Sequence, residues 1–246
     1  MAEQRGIQSV EVGGRLLRAL ADTGQPMPLK ELAQAADMPP AKAHPYLVSF
    51  GKLGLISQDP ASGHYGLGPL AMQLGLISLQ QVDPLRLATA RLPELAQALQ
   101  QTVAIAVWGH HGATIVRIEE APSLVHMAMR HGAVMGTRST ASGRLFAAHL
   151  PRATVQAAEP GLRFDAAFQA ELARVREQGL ASVDGLAVAG VCALAAPVFD
   201  GTGALRLALT AIGPSGSFDV APGGPAAQQL CGVAAALSAQ LGYRAA

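Results

Sequence analysis

Cysteine is scarce in this chain, since Cys192 and Cys231 are the only two in 246 residues. Two cysteines are too few for a disulfide framework, and their spacing matches no zinc-ligand pattern. Long apolar runs are also missing, and the N-terminal stretch MAEQRGIQSVEVGGRLLR has no signal-peptide core. We therefore predict a cytoplasmic protein with no membrane role.

Net charge is nearly absent as well, at +1. Such a balance argues against a protein that binds polyanions through bulk charge, but it is compatible with a local binding site. Half of the residues are hydrophobic, which is enough to build true cores. Because the length exceeds that of a usual single domain, we expect two domains.

Recognisable catalytic and metal-binding motifs are missing too. Residues 201–203 begin like a dinucleotide-binding fingerprint, but they lack its third glycine and link two predicted strands, which indicates a hairpin turn. GPSGS and TASGR do not match a nucleophile elbow. Four of the seven histidines lie in two groups that could be considered for a metal: His110 and His111 in a GHHG turn, and His126 and His131 near Glu119 and Glu120. Surface or core histidines are the favoured interpretation. We predict no catalytic residue, no metal and no cofactor, and hence a protein that is not an enzyme.

The N-terminal part contains helical spacing followed by a hairpin pattern. Apolar residues recur at helical intervals between Val10 and Leu20, in PLKELAQAADM with Pro28 expected at the first helical position, and in PPAKAHPYLVSFGKLG. LISQDPASGHYGLG then places turn-forming residues between two short apolar stretches. Three helices and a β-hairpin within about 60 residues are typical of a winged helix-turn-helix.

The remainder of the chain predicts an α+β domain. PLAMQLGLISLQQ is suited to a connecting helix, and the next helix has Asp83 as a candidate N-cap, Pro84 at its first position and Pro93 as a kink. Strand patterns follow in TVAIAVWG, ATIVRIEEA, LVHMAMRHG, LASVD, CALAAPVFD and ALRLALTAIG. Helical patterns lie in STASGRLFAAHL, FDAAFQAELARVREQG and GGPAAQQLCGVAAALSAQLG. An antiparallel sheet flanked by helices is the simplest interpretation.

Three segments in this order carry a resemblance to a known family: GLISQDPASGHYGLG, TASGRLFAAHL and GVCALAAPVFDGTGALRLALTAIGP. Over nearly its whole length the chain resembles the IclR family of bacterial transcriptional regulators. The resemblance implies an α+β protein with an N-terminal winged helix-turn-helix for double-stranded operator DNA (1–68), a linker helix (69–82) and a C-terminal GAF-like effector-binding domain (83–246). It also implies a small organic acid as effector, and a homodimer or homotetramer.

Helix-turn-helix proteins place the N-terminal part of the second motif helix in the major groove of DNA. In this chain that part is PPAKAHPY, where Lys42 is suited to guanine acceptors or phosphate. Ser62 adds a hydroxyl at the tip of the wing. The predicted DNA-contacting residues are Pro40, Ala41, Lys42, His44, Pro45, Tyr46, Ser49, His64 and Tyr65.

Charge and one proline modify these expected contacts. Residues 1–75 contain six Lys or Arg and six Asp or Glu, so we expect a shallow dependence of DNA affinity on salt. Where the family usually has a Ser-Thr pair and an Arg, this chain has Ala41, Lys42 and Pro45. Pro45 also lacks the N–H that would bond to Ala41, so we expect an irregular or kinked start that re-aims Lys42 and His44.

The resemblance implies an effector cavity between the sheet and the helices of the C-terminal domain. The corresponding positions are Met127, Met129, Gly132, Ala133, Thr140, Ser142, Val183, Ala193, Leu194, Thr210 and Ile212. Where the family often has an acidic residue, a cysteine and a second serine, this chain has Val183, Ala193 and Ile212. Cys192 should face the opposite side of its strand from Ala193. Polar donors are then limited to the hydroxyl groups of this set and to backbone N–H groups, which favours an effector with an apolar or aromatic body and at most one acidic group.

Two alternatives stay open at this point. The winged helix would serve protein contacts or dimerisation alone, or the chain would be a GAF-like metabolite-binding or catalytic protein with a vestigial winged helix. A separate alternative concerns the predicted effector residues, since Met127, Met129, Ala193 and Ile212 would also fit as ordinary core residues of a strand face. Protection of operator DNA distinguishes the first alternative, and turnover of a bound ligand distinguishes the second.

Overall fold

The computed structural model describes residues 6–81, 83–121 and 129–244. The chain divides into two compact units, Met1–Val82 and Asp83–Ala246. Within the described ranges, no helix is both long and apolar enough to cross a membrane.

The N-terminal unit is a winged helix-turn-helix. Its elements are α1 (Gln8–Thr23), α2 (Leu29–Ala35), α3 (Pro40–Lys52), β1 (Ile56–Gln58), β2 (Tyr65–Leu67) and α4 (Pro69–Gln81). The helical spacing buries Leu16, Leu20, Leu32 and Leu47 in one core, and β1 pairs antiparallel with β2 to form the wing. The predicted three helices and hairpin are confirmed. Pro28 is the N-cap residue of α2, one position earlier than predicted.

The C-terminal unit is an α+β domain built on one antiparallel sheet. Its helices are α5 (Pro84–Thr89), α6 (Leu92–Leu99), α7 (Ala141–His149), α8 (Arg152–Ala158), α9 (Ala166–Gln178) and α10 (Pro225–Gln240). Its strands are β3 (Thr102–Gly109), β4 (Gly112–Glu119), β5 (Val134–Met135), β6 (Ala181–Asp184), β7 (Val191–Phe199) and β8 (Leu205–Pro214). The strand order is β5-β4-β3-β8-β7-β6, and every pairing is antiparallel. This sheet confirms the predicted fold class.

The two faces of the sheet are covered by different helices. On one face, Ala104, Ala193 and their row neighbours form a core with Phe146 of α7 and Phe168 of α9. Alternate residues of the same strands, such as Leu194, are buried on the other face, because successive side chains of a strand point in opposite directions. There α10 contacts β7 and β8, and α6 contacts β3 and β4. The first face is the one that carries the candidate effector site.

Proline and aspartate position the start of the C-terminal unit. Asp83 caps α5 as predicted, since its carboxylate accepts hydrogen bonds from the backbone N–H groups of Leu85 (2.9 Å) and Arg86 (3.2 Å). The single kinked helix expected around Pro93 is instead two helices. Pro93 lies in the first turn of α6, where a missing N–H breaks no helical hydrogen bond.

Other differences concern the middle of this unit. The strand predicted for LVHMAMRHG does not form over 129–132, and residues 124–128 lie outside the described residues. The strand β5 begins at Val134, just after the predicted segment, and pairs with β4. Helix α8 has no counterpart among the predicted helices. The turn predicted at 201–203 does join β7 to β8, and the Asp200 carboxylate accepts from the N–H groups of Thr202 (2.9 Å) and Ala204 (3.2 Å).

Candidate DNA-reading face and effector site

Helix α3 presents most of the predicted DNA-contacting residues to solvent. Its first residues follow Pro39, the N-cap, and Pro40 at the first helical position, where a proline is favourable. Ala43 and Leu47 are buried and hold the helix on the core of the unit. The exposed predicted residues are Pro40, Ala41, Lys42, His44, Pro45 and Ser49. The structure therefore brings six of the nine predicted DNA-contacting residues onto the exposed surface of one helix.

Pro45 does not interrupt α3. The helix is continuous from Pro40 to Lys52, so the irregular start expected from the sequence does not appear as a break in the helix. The Ser49 hydroxyl donates to the Pro45 carbonyl at 2.9 Å, one turn later. Lys42 and His44 thus extend from the same regular helix as the buried residues, while the Ala41 carbonyl lacks its usual donor four residues on.

Tyr46 and Tyr65 are placed differently from the exposed set. Tyr46 is half-buried and packs on α1, where a Cβ added to Gly13 would lie 2.8 Å from its Cδ1 atom. Tyr65 is only 9% exposed and belongs to the core, and its backbone bonds in both directions with Met27 (2.8 and 2.9 Å). This burial corrects the expectation for Tyr65, because a ring held in the core is not presented to a DNA groove.

The wing tip is a turn organised by Asp59. Its carboxylate accepts from the N–H groups of Ala61 (2.7 Å) and Ser62 (2.9 Å), and Gly63 supplies the left-handed backbone of the turn with φ 71°. These backbone hydrogen bonds, led by that from Ser62, lower the pKa of Asp59. Ser62 is exposed and His64 is half-buried. The wing tip therefore offers a hydroxyl and an imidazole beside a fixed negative charge, which keeps its attraction for phosphate weak.

The candidate effector residues meet on the α7-covered face of the sheet. Val183 lies opposite Ala193, and Ala193 lies opposite Ile212, so these three form one row across β6, β7 and β8. Thr210 lies in the next row, opposite Ala195. The strand register thus gathers three of the predicted apolar positions and one hydroxyl from segments that are distant in sequence.

Two buried hydroxyl groups join α7 to this face. The Ser142 Oγ and Thr210 Oγ1 atoms are 2.8 Å apart, and both side chains are buried. One hydroxyl proton forms the bond between them, which leaves the second proton available to another acceptor. The pair is therefore the principal side-chain donor of the candidate site.

Thr140 has a structural role at the start of α7. Its Oγ1 atom accepts from the Gly143 N–H (3.0 Å) and its hydroxyl donates to the Gly136 carbonyl (2.9 Å). A hydroxyl has one proton, so Thr140 has none left for a ligand. Gly143 is required because a Cβ there would lie 2.3 Å from the Gly136 oxygen. The Thr-x-x-Gly spacing of TASG is thus the local reason that Ser142 is held against the sheet.

Leu194 is not part of this face. It is fully buried and is out of phase with Ala193 and Ala195, which belong to the α7-covered core. Cys192 shares the face of Leu194, as expected, and its thiol lies 3.4 Å from the Phe218 carbonyl oxygen. Burial raises the pKa of the Cys192 thiol. The assignment of Leu194 to the effector site is therefore corrected, because a side chain on the opposite face cannot line the same cavity.

Three further predicted residues, Met129, Gly132 and Ala133, lie in the loop before β5. Met127 lies outside the described residues. Met129 and Ala133 pack against the same core cluster as Ala193, whereas Gly132 is exposed with φ 78°. The Gly132 N–H donates to the carbonyl of Ile115 (2.8 Å), which ties the loop to β4.

The structure adds Thr102 to this neighbourhood. It is buried and lies opposite Ile212 in the pairing of β3 with β8, and therefore extends the row of Val183 and Ala193 with a hydroxyl side chain. The sequence shows Thr102 only as the first residue of a strand. The signal that identifies it is the β3–β8 register, which depends on tertiary pairing.

Metal chemistry has no geometric support in the described residues. No group of three or more His, Cys, Asp or Glu side chains in this part of the chain could hold an ion. His110 and His111 occupy the exposed β3–β4 turn, with their ring centroids 5.1 Å apart in an edge-on arrangement. They form the turn that their GHHG context predicts.

Comparisons with known proteins agree with this architecture. The model of the IclR helix-turn-helix domain matches residues 9–60, and the model of the bacterial transcriptional regulator IclR C-terminal domain matches residues 77–239. The chain belongs to the IclR family. It is a transcriptional regulator with an N-terminal helix-turn-helix DNA-binding domain and a C-terminal ligand-binding domain.

Three relatives of this IclR-family chain illustrate the range of similarity. The crystal structure of Pseudomonas aeruginosa HmgR is 37% identical, with a TM-score of 0.93, and the match covers 98% of this chain and 100% of that one. The glycerol operon regulatory protein of Streptomyces griseus is 30% identical over 97% of this chain and 98% of its own length. The transcriptional repressor IclR of Escherichia coli is 26% identical, over 79% of this chain and 75% of its own.

Proposed function

We propose that this regulator reads a specific operator through the exposed face of α3 and that a small organic acid with an apolar or aromatic body modulates its operator affinity. DNA binding by this face is supported by one observation: Lys42, His44 and Ser49 are all exposed on the same helix. Ala43 and Leu47 are buried and hold that helix on the core of the unit. Rigid placement of donors on a helix surface suits recognition of base edges and phosphates in the major groove.

The proposed effector class rests on the chemistry of the α7-covered sheet face. Val183, Ala193 and Ile212 provide an apolar row where a hydrophilic acid would need donors. The Ser142–Thr210 pair supplies one hydroxyl proton, and the N–H groups of Ala141 and Ser142 in the first turn of α7 have no acceptor inside the helix. These donors suffice for one carboxylate, while the row would contact the apolar body of the ligand.

The effector residues proposed after this placement are fewer than those expected from the sequence. They are Met129, Ala133, Ser142, Val183, Ala193, Thr210 and Ile212, with Thr102 added. Thr140 positions α7 rather than donating to the ligand. The same chain is proposed not to be an enzyme and to act in the cytoplasm, where the operator DNA of a bacterium lies.

Self-association is proposed to involve α4. This helix contains no charged residue, and four of its large side chains are between 41% and 66% exposed: Met72, Leu74, Leu76 and Ile77. Exposed apolar side chains of this kind are covered in stable oligomers. We propose a homodimer or homotetramer. Each chain is proposed to consist of a DNA-binding domain over residues 1–68, a linker helix over 69–82 and an effector domain over 83–246.

Footprinting of the full chain on DNA flanking its own gene tests the regulatory proposal. We expect one protected segment at low salt, and we expect benzoate to change the protein concentration needed for protection. Calorimetry with benzoate, glyoxylate and pyruvate tests the effector class separately. Tight binding of glyoxylate or pyruvate without binding of benzoate would contradict the proposed apolar body, while absence of any protected DNA would contradict operator binding.

A further inference from the structure

A cavity lies on the helical side of the C-terminal unit, away from the sheet. It has a volume of about 380 Å³ and is lined by residues of α7, α8 and α9 and of the segment between α8 and α9. This volume lies within the roughly 300–1,000 Å³ range of small-molecule sites. None of its lining residues belongs to a strand, and Ser142 and Thr210 are not among them. The cavity is therefore separate from the proposed effector face.

Two arginines give this cavity a positive lining. Arg152 lies over the ring of Phe164, with its Cζ atom 4.8 Å from the ring centroid. Arg176 donates through Nε to the carbonyl of Ala148, near the C-terminal end of α7. That bond uses one N–H of the guanidinium and leaves the terminal nitrogens of Arg176 for another acceptor.

No acidic side chain offsets these two charges in the lining. Glu171 of α9 is engaged elsewhere, at 2.8 Å from Arg144 and 2.6 Å from Arg174. Within the described ranges, neither Arg152 nor Arg176 forms an ion pair with a carboxylate. Two unneutralised guanidinium groups at the edge of one cavity attract an anion, because each can donate paired N–H groups to a carboxylate.

The other walls are suited to an apolar body. Phe164, Leu150 and Leu172 line the cavity, and the Gln169 side-chain amide donates to the Phe164 carbonyl at 2.6 Å, which fixes the start of this wall. Apolar walls with a few convergent polar groups are the usual composition of a small-ligand site. The combination matches a carboxylate attached to a ring or a short hydrocarbon.

We propose that this α7–α8–α9 cavity is a second binding site for a small organic anion. The carboxylate is held between Arg152 and Arg176, and the apolar part packs on Phe164 and Leu150. Because both guanidinium groups also contact solvent, binding weakens as salt screens them. Binding at this site does not depend on the effector proposed for the sheet face. Helix α7 contributes to both sites, because it lines this cavity and carries Ser142 in its first turn.

Photolabelling of the full chain with para-azidobenzoate tests the proposal, with labelled peptides identified by mass spectrometry. We expect label on peptides covering residues 147–176, separate from any label on residues 181–214 of the sheet face. Arg152→Gln and Arg176→Gln should each reduce the first label about tenfold, the effect of removing one charge-assisted contact. High salt should reduce it as well, and para-azidobenzamide, which has no charge, should not label this segment.

Arg174→Gln is the matched control, because Arg174 lies on α9 but pairs with Glu171 outside the cavity lining. Its label should equal that of the unchanged chain. Thermal unfolding of each variant checks that α7 remains folded. If Arg176→Gln proves unstable, the proposal is judged on Arg152→Gln alone. Absence of label on 147–176, or label unaffected by Arg152→Gln, would overturn the second site, whereas loss of label on 181–214 alone would bear only on the sheet-face effector.

Discussion

The hydroxyl groups of Ser142 and Thr210 are 2.8 Å apart and buried, although the residues are separated by 68 positions in the sequence. This bond joins the first turn of α7 to β8 on the face where Val183, Ala193 and Ile212 form an apolar row. It links the stability of the C-terminal unit to the donor that we propose for the effector.

Removal of either hydroxyl should weaken both stability and effector binding. Ser142→Ala and Thr210→Val each leave one buried hydroxyl without its partner, which costs about 1–3 kcal/mol of unfolding free energy. The double variant should cost less than the sum of the two, because the orphaned group is removed with its partner. Denaturant unfolding measures the cycle and calorimetry with benzoate measures binding. Additive stability effects would show that the two hydroxyls do not interact.

Lys42 should contribute to DNA affinity through charge. Lys42→Gln is expected to weaken operator binding and to reduce the slope of log affinity against log salt by about 0.9, the effect of one lost phosphate contact. If Lys42 bonds to a base instead, sequence preference changes and the slope is preserved. Fluorescence anisotropy over a salt series distinguishes these outcomes. Arg163→Gln removes the same charge from an exposed position of the C-terminal unit and should leave the slope unchanged.

Pro45 should limit both the stability of α3 and its contacts with DNA. Pro45→Ala restores an N–H at position 45 that can donate to the Ala41 carbonyl, and it should raise the unfolding free energy by up to about 3 kcal/mol. Pro45→Arg restores the same bond and adds a cation on the exposed helix surface, so it should also strengthen DNA binding. Comparison of the two variants by anisotropy separates charge from backbone. Equal DNA affinity of the Ala and Arg variants would rule out a contact from position 45.

Gly143 should not tolerate a side chain. In Gly143→Ala the added Cβ would lie 2.3 Å from the Gly136 carbonyl oxygen, a backbone atom that cannot move freely. We expect a loss of about 1–3 kcal/mol in unfolding free energy, the range for overpacking. Gly232→Ala, in α10 with open space around the new Cβ, should instead stabilise by about 0.5–1 kcal/mol. Similar effects of the two substitutions in denaturant unfolding would contradict the close approach at Gly143.

His149 should make stability depend on pH in the acidic range. Burial, with a smaller effect of Arg176, lowers the pKa of His149 below its ordinary value, and within the described part of the chain its Nε2 atom has no hydrogen-bond partner. The unfolded chain therefore binds a proton more readily than the folded chain. The stability that neutral, buried His149 contributes to the folded chain is fully present above about pH 6.5. It is lost as the pH falls towards the pKa of His149 in the folded chain.

A variant comparison isolates this contribution of His149. His149→Gln should flatten the pH dependence of thermal unfolding between mildly acidic and neutral pH. His131→Gln, at an exposed position, should leave the dependence as it is in the unchanged chain. An unchanged pH profile in His149→Gln would show that another group is responsible.

The fold can be predicted from the sequence because the patterns that specify it are local. Helical spacing of Leu16 and Leu20, the turn-forming DPASG and the Asp83 cap act within a few residues, so they can be recognised without knowledge of distant contacts. The same holds for the exposure of Lys42, which follows from the apolar spacing of α3. The Pro93 region was less predictable, because a proline permits either a kink or a new helix.

The sequence by itself determined the winged helix, the α+β class and the family resemblance, since these depend on residue spacing along the chain. Only the tertiary structure decided that Tyr65 is in the core, that Leu194 faces away from Ala193, and that Ser142 bonds to Thr210. The reason is strand pairing. A shift of one residue in register moves a side chain to the other face of a sheet, and that register is set by segments far apart in sequence.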